Sequence, residues 1–362
     1  MPYQTVPDSV RRFMDRITEL CGAEHADWAE NFNAAFANTL TTTVHRHADG
    51  TTFLLTGDIP AMWLRDSTAQ VRPYLPIAAE DDDLADMIEG LVRLQFRYIG
   101  IDPYANAFNE EPNGATWDPD DRSDFSSPWL WERKYELDSL CYPIQLAWLL
   151  NVNTGRVSQF DDTFISGMRR VLDVLETEQD HARSPYFFIR DCDIPTESLD
   201  NDGRGTPVAP TGMTWSGFRP SDDACTYHYL VPANMFAAVV MGYAERIFTE
   251  IVDDAALAAR ARALRESIDG GLRSHGTMTN AAGETIWAYE VDGLGHALLM
   301  DDSNVPSLMA APYLGYCAAD DPLYLSTRRT LLSAENPFYY EGAYAKGIGS
   351  PHTPPRYVWP IA

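Results

Sequence analysis

The chain has 362 residues, which fits two average domains or one large helical barrel and excludes a single minimal core. Lys and Arg total 27 against 53 Asp and Glu, a formal charge of −26, so a phosphate backbone or an anionic membrane surface is repelled rather than bound. Hydrophobic residues make up 45%, enough for a sizeable core, and this excludes wholesale disorder.

The first twenty residues, MPYQTVPDSVRRFMDRITEL, contain no apolar segment of signal-peptide type. Asp8 and Ser9 cap a first helix over 10–20, with Val10, Phe13, Ile17 and Leu20 at spacings of three and four. A second helix is expected over 28–45, a short strand over 51–55 and a third helix over 84–96. Further helices are expected over 137–150, 164–178, 234–249, 254–270, 307–317 and 322–333, with a strand-like run at 284–291. Between them, 102–133 and 181–225 lack periodicity yet are dense in Trp, Tyr, Phe and Arg, which favours ordered site walls over loose linkers. Five cysteines stand at 21, 141, 192, 225 and 317 with no C-x-x-C pair, so buried reduced thiols of a cytoplasmic protein are expected. No run approaches 18 apolar residues, so no membrane span is expected.

Five segments carry polar chemistry. In T-G-D-I-P-A-M-W-L-R-D-S at 56–67, Arg65 and Asp66 are adjacent charges among apolar neighbours. They read either as an ion pair tying a loop to a helix or as a clamp on vicinal hydroxyls, with Ser67 as a cap for the next helix. In W-E-R-K-Y-E-L-D-S-L at 131–140, Glu132, Glu136 and Asp138 read first as carboxylates favoured by a helix N-terminus. In W-S-G-F-R-P-S-D-D-A at 215–224, Asp222 and Asp223 beside Arg219 and Trp215 suit a general acid. An ordinary capping sequence reads the same way. The fourth segment, 292–308, holds Asp292, His296, Asp301, Asp302 and Asn304; the fifth, G-I-G-S-P-H-T at 347–353, holds His352. Histidine among carboxylates invites a metal, but no H-x-x-x-H or H-E-x-x-H spacing supports one, and no dinucleotide or phosphate loop is present. No cofactor is therefore expected.

Taken in order, these five segments resemble glycoside hydrolase family 125 across almost the whole chain. The resemblance implies one catalytic domain over 1–362, mainly α, an (α/α)6 toroid incomplete at its C-terminal end. It implies a metal-independent, inverting exo-α-1,6-mannosidase acting on mannose-containing oligosaccharides. Its acid falls on Asp222 or Asp223, between which the sequence does not choose. Arg65 and Asp66 would hold mannose hydroxyls with help from Arg219 and His352, and Trp63 and Trp215 would offer stacking faces. The family's general base is a glutamate in a His-Glu-Ser-like motif that follows the V-W-P-I-A at the end of this chain. No such motif occurs in these 362 residues, and Glu132 and Glu136 are the fallback carboxylates. A sugar-binding relative without turnover and a glucoamylase-like toroid are the rival expectations; oligomeric state is open.

Overall fold

A computed structural model describes residues 3–57 and 59–358. Among these residues, nine helices reach eight residues or more: α1 Asp8–Cys21, α2 Ala26–Asn38, α3 Leu64–Val71, α4 Asp82–Ile101, α5 Leu137–Thr154, α6 Asp162–Glu178, α7 Val231–Glu250, α8 Ala255–His275 and α9 Pro322–Leu331. Acidic caps start several of them. The carboxylates of Asp81, Asp161, Asp254 and Asp321 accept backbone N–H groups of the first turns of α4, α6, α8 and α9. Each such cap stabilises its helix by about 1 kcal/mol.

The helices form two layers. α3, α5 and α7 pack side by side as an inner layer, and α4, α6 and α8 pack around them. Composition dictates the sorting. α5 is buried continuously from Leu137 to Trp148, and α7 from Val231 to Ala238, as a helix with neighbours on both sides requires. α6 instead buries Phe164, Met168, Val171, Leu172 and Leu175 and exposes Arg169, Arg170, Asp173 and Glu176. Gly167 lets α6 approach α4, because a Cβ there would stand 2.8 Å from the Phe96 ring. This concentric arrangement is that of an (α/α)6 toroid. None of the described helices is long and apolar enough to cross a membrane.

The two aperiodic stretches are tied to the helix ends by small antiparallel sheets. Met62–Trp63 pairs with Ala107–Phe108, which pairs with Leu130–Glu132; Tyr229–Leu230 pairs with Glu290–Val291, which pairs with Ala297–Leu298. Tyr104, Tyr135, Tyr186 and Trp215 pack ring against ring and draw the two stretches together.

Several expected elements change. The helix expected over 28–45 ends at Asn38, followed by a π-turn over Thr39–Thr43 and a strand at Val44–Arg46. The hydroxyls of Thr41, Thr42 and Thr43 each donate to the carbonyl four residues back, a habit that loosens a helix. The 307–317 helix shrinks to Ala311–Leu314, started by Pro312 and stopped by left-handed Gly315. The strand at 284–291 splits into Thr285–Trp287 and Glu290–Val291. Ser67 lies inside α3 and donates to the Leu64 carbonyl, so it is no cap. Of the cysteines, Cys141 and Cys225 are buried, whereas Cys192 is exposed.

Candidate active site

The site is built around one guanidinium. The chain turns from the strand Met62–Trp63 directly into α3, which places Arg65 in the first helical turn with its side chain directed inward. Arg65 Nη1 donates to Glu136 Oε2 at 2.5 Å and to Asp138 Oδ2 at 3.2 Å. Its Nε lies 3.6 Å from Asp66 Oδ2 and its Nη2 3.5 Å from Asp222 Oδ1. Four carboxylates thus share one cation. Glu136 precedes α5 without capping it, because its carboxylate is spent on Arg65 and on the Ser139 hydroxyl.

Such crowding forces protons onto some of these groups. Burial pushes the Glu136 carboxyl well above its ordinary range, against the pull of Arg65. Burial likewise raises Asp138 to about 6, and it raises Asp66. Asp222 goes the other way. Burial opposes its ionisation, but Arg65, the Lys134 ammonium and a hydrogen bond with Glu136 together hold it below the usual carboxylate value. Among the described residues, neither Glu136 Oε1 nor Asp222 Oδ1 receives a donor. One proton shared between them would satisfy both.

The structure separates the two aspartates that the sequence leaves open. Asp222 sits at φ 70°, in a turn where its N–H donates to the Arg219 carbonyl and the Arg219 N–H donates to the Asp223 carbonyl. Buried Lys134 fixes that turn from below, its Nζ donating to the Asp222 carbonyl at 2.9 Å and to Glu197 Oε2 at 2.8 Å. The Asp222 side chain keeps 31% exposure and opens into a cavity of about 860 Å³. Asp223 is not among the lining residues and is 1% exposed, with Ser221 Oγ at 3.4 Å and His352 Nδ1 at 3.3 Å. Its contact with Asp223 raises the His352 imidazole above its usual value.

Trp63, Arg65, Asp66, Asp222 and His352 all line this cavity, brought together from three separate segments. Trp215 and Arg219 do not. Trp215 is fully buried, its indole stacked on His181 at 3.7 Å and on His228 at 4.6 Å, so it offers no face to a sugar. Arg219 is 4% exposed, donates to Glu290 Oε1 at 2.6 Å and lies over the Tyr289 ring. Glu132, a fallback base, is buried against Arg190 and Asn106 and lies outside the lining, as does Glu136. Truncating Trp215 to Ala is expected to lower stability by about 3–5 kcal/mol, read as a drop in Tm. Trp215→Phe is expected to lose less and to keep sugar affinity within about twofold, as a packing role requires.

Of the fourth segment, Asn304 reaches this cavity, whereas the motifs give no sign of Tyr142 and Tyr313 as lining residues. Asn304 is 6% exposed and, among the described residues, its Nδ2 has no acceptor; the same holds for the indole N–H of Trp63. Two buried donors without partners beside a cavity are available to a ligand's hydroxyl oxygens. Tyr142 and Tyr313 complete a wall beyond the clamp. The described residues contain no group of three or more His, Cys, Asp or Glu able to hold a metal ion.

Residues 25–362 match the family model described as metal-independent α-mannosidase, GH125. The meiotically up-regulated gene 157 protein of Schizosaccharomyces pombe is 36% identical over 389 residues, an alignment spanning all of this chain and 76% of that protein. A solved structure of a metal-independent α-mannosidase from Streptococcus pneumoniae, in a non-productive complex with α-1,6-mannobiose, is 51% identical. It superposes with a TM-score of 0.96, covering 98% of this chain and 84% of that one.

Proposed function

The chain belongs to the metal-independent α-mannosidases of glycoside hydrolase family 125, and from that premise we propose that its cavity takes the terminal mannose of an α-1,6-linked oligosaccharide or trimmed N-glycan. The observation that carries this reading is the convergence of Arg65, Asp66 and Asp222 on one cavity. Arg65 and Asp66 hold vicinal hydroxyls, one as donor and one as acceptor, with Asn304 Nδ2 and Trp63 Nε1 as further donors. Cavities of this volume bury a small ligand with a few convergent polar groups. A clamp that engages free hydroxyls favours a chain end, and hence exo action.

Asp222 is the acid in this reading, since it opens into the cavity and Asp223 does not. Its proton is held jointly with Glu136. When a sugar displaces solvent from Asp222, its ionised form loses stabilisation and the proton moves toward Asp222 and the leaving oxygen. Inversion also needs a second carboxylate across the sugar, about 6.5–9.5 Å from the first, with a water between. Among the described residues, the carboxylates of the lining are Asp66 and Asp222, both on Arg65. The resemblance assigns the base to a motif that residues 1–362 do not contain.

Residues 1–362 alone are therefore expected to bind α-1,6-mannobiose and to hydrolyse it near background. A longer protein carrying the His-Glu-Ser-like motif is expected to release β-mannose as first product, seen by NMR before mutarotation. Titration calorimetry and product NMR on both proteins test this. Rapid hydrolysis by residues 1–362 would move the base into this chain, and no binding by either protein would refute the reading. A sugar-binding protein without turnover is the second reading, favoured by a clamp that is complete without a base. Binding without hydrolysis in both proteins would select it.

A further inference from the structure

Besides the clamp, the same cavity is lined by Arg72, Tyr142 and Tyr313, a cation and two rings. Tyr142, 3% exposed, lines this cavity with its phenol within electrostatic reach of Asp138, Arg65, Asp66 and Tyr313. Its hydroxyl is committed to the Val305 carbonyl at 2.7 Å, so it presents a ring edge rather than a free polar group. Tyr313 stands on the short turn Ala311–Leu314. Ala311 and Leu314 are each 1% exposed and pin that turn to the core, which turns Tyr313 outward at 61% exposure.

That ring is held in place. The Arg72 guanidinium lies 4.1 Å from its centroid, and Arg72 Nη1 donates to Gln145 Oε1 of α5 at 3.4 Å. Arg72 covers one face of the ring. The exposure that remains belongs to the other face and the edges. A cation over one face fixes the ring's tilt and reduces the rotamer freedom that binding would otherwise freeze out. Both residues line the same cavity as Asp222. Trp63, by contrast, is 5% exposed with its ring packed against Ala61 and Ala107, so Tyr313 is the open aromatic face of this wall.

We propose that Tyr313, braced by Arg72, is the stacking platform for the second sugar, the ring on the leaving side of the scissile bond. This rests on the reading that the clamp end holds the terminal mannose. The chemistry fits a pyranose. The axial hydrogens on C3 and C5 of mannose form an apolar patch that lies flat on an aromatic face, while the hydroxyls at its rim stay in water. A 1,6 linkage places an extra methylene between the rings, so the second sugar can swing onto a platform set apart from the clamp. Tyr313 is thus a specificity determinant that acts on disaccharides and not on single sugars.

Titration calorimetry with two ligands separates the roles. Methyl α-mannoside fills the clamp end alone, and α-1,6-mannobiose reaches both ends. Tyr313→Ala is expected to weaken mannobiose about five- to tenfold and methyl mannoside less than about twofold. Tyr313→Phe, which keeps the ring, is expected to bind both like the unsubstituted protein. Arg72→Met is expected to weaken mannobiose by about two- to threefold through loss of the brace. Equal weakening of both ligands by Tyr313→Ala, or weakening of neither, would overturn the platform while leaving the clamp intact. Failure of the unsubstituted protein to bind either ligand would remove the clamp reading and the platform with it.

Discussion

Arg65→Met is expected to abolish sugar binding and to lower stability by about 3–5 kcal/mol at pH 7.5, the scale for an ion-pair network stripped of one partner. The side chains of Glu136 and Asp138 have no solvent exposure, so neither can turn to water when the guanidinium goes. Each must take up a proton or remain an uncompensated buried charge. The pH dependence follows from that choice. Burial already raises Asp138 to about 6 and holds Glu136 well above its ordinary range, both above their values in an unfolded chain. A carboxyl raised in the folded state stabilises the fold below its unfolded pKa, and that contribution is lost as pH rises through the folded pKa. Stability of the unsubstituted protein should thus decline as pH rises from about 4 through about 6 on account of Asp138, with Glu136 adding in the same direction. In Arg65→Met the folded values climb further, so the decline steepens and extends to higher pH. Urea melts at pH 5 and pH 8 measure it: the variant should approach the parent at pH 5 and fall well below it at pH 8. A pH-independent difference would mean that these carboxyls stay neutral in the parent.

Arg219→Met is expected to destabilise by a similar amount, about 3–5 kcal/mol, but through a separate pair. Glu290 is fully buried and accepts from Arg219 Nε at 2.6 Å and from the backbone N–H groups of Thr226 and Tyr227 at 2.7 and 2.9 Å. Removing Arg219 leaves a buried anion held by two neutral donors. Adding Glu290→Gln removes that charge while an amide oxygen in the Oε2 position keeps an acceptor for both N–H groups, so the double variant should recover much of the loss. Both variants should bind α-1,6-mannobiose within about twofold of the parent at temperatures where they are folded. Selective loss of binding in a stable Arg219→Met would return this arginine to the sugar.

The two arginines show what could be read from the chain alone. Arg65 adjoins Asp66 and Arg219 stands three residues before Asp222, and by local pattern both read as partners of an aspartate. Their fates depend on partners 71 residues away, Glu136 for Arg65 and Glu290 for Arg219, a distance at which pattern carries no information. The helices were legible because amphipathic spacing is local, and they failed where a local competitor acted, as with the threonines at 41–43. The order of the five motifs was enough to indicate the family and its toroid. It was not enough to separate Asp222 from Asp223, which differ only by the backbone turn that aims them and the lysine beneath it. Trp215 drew attention as an aromatic beside the acid, but a fully buried indole looks the same in sequence as one facing a cavity. Tyr313 carried no motif signal, since its role comes from an arginine on a different helical turn.

The left-handed backbone of Asp222 bears on how such a protein changes over generations. At φ 70° most side chains strain the turn, while Gly, Asn and Asp are tolerated. Asn and Gly are also reached from an aspartate codon by a single base transition. The mutations that remove the proposed acid most readily are thus among those the backbone accepts with least strain. They leave the Lys134 anchor to the carbonyl in place, and Arg65 keeps Glu136, Asp138 and Asp66 when it loses the Asp222 carboxylate. A lineage of this fold therefore has a short route from hydrolase to lectin, and in the laboratory Asp222→Asn is the substitution suited to trapping an intact oligosaccharide.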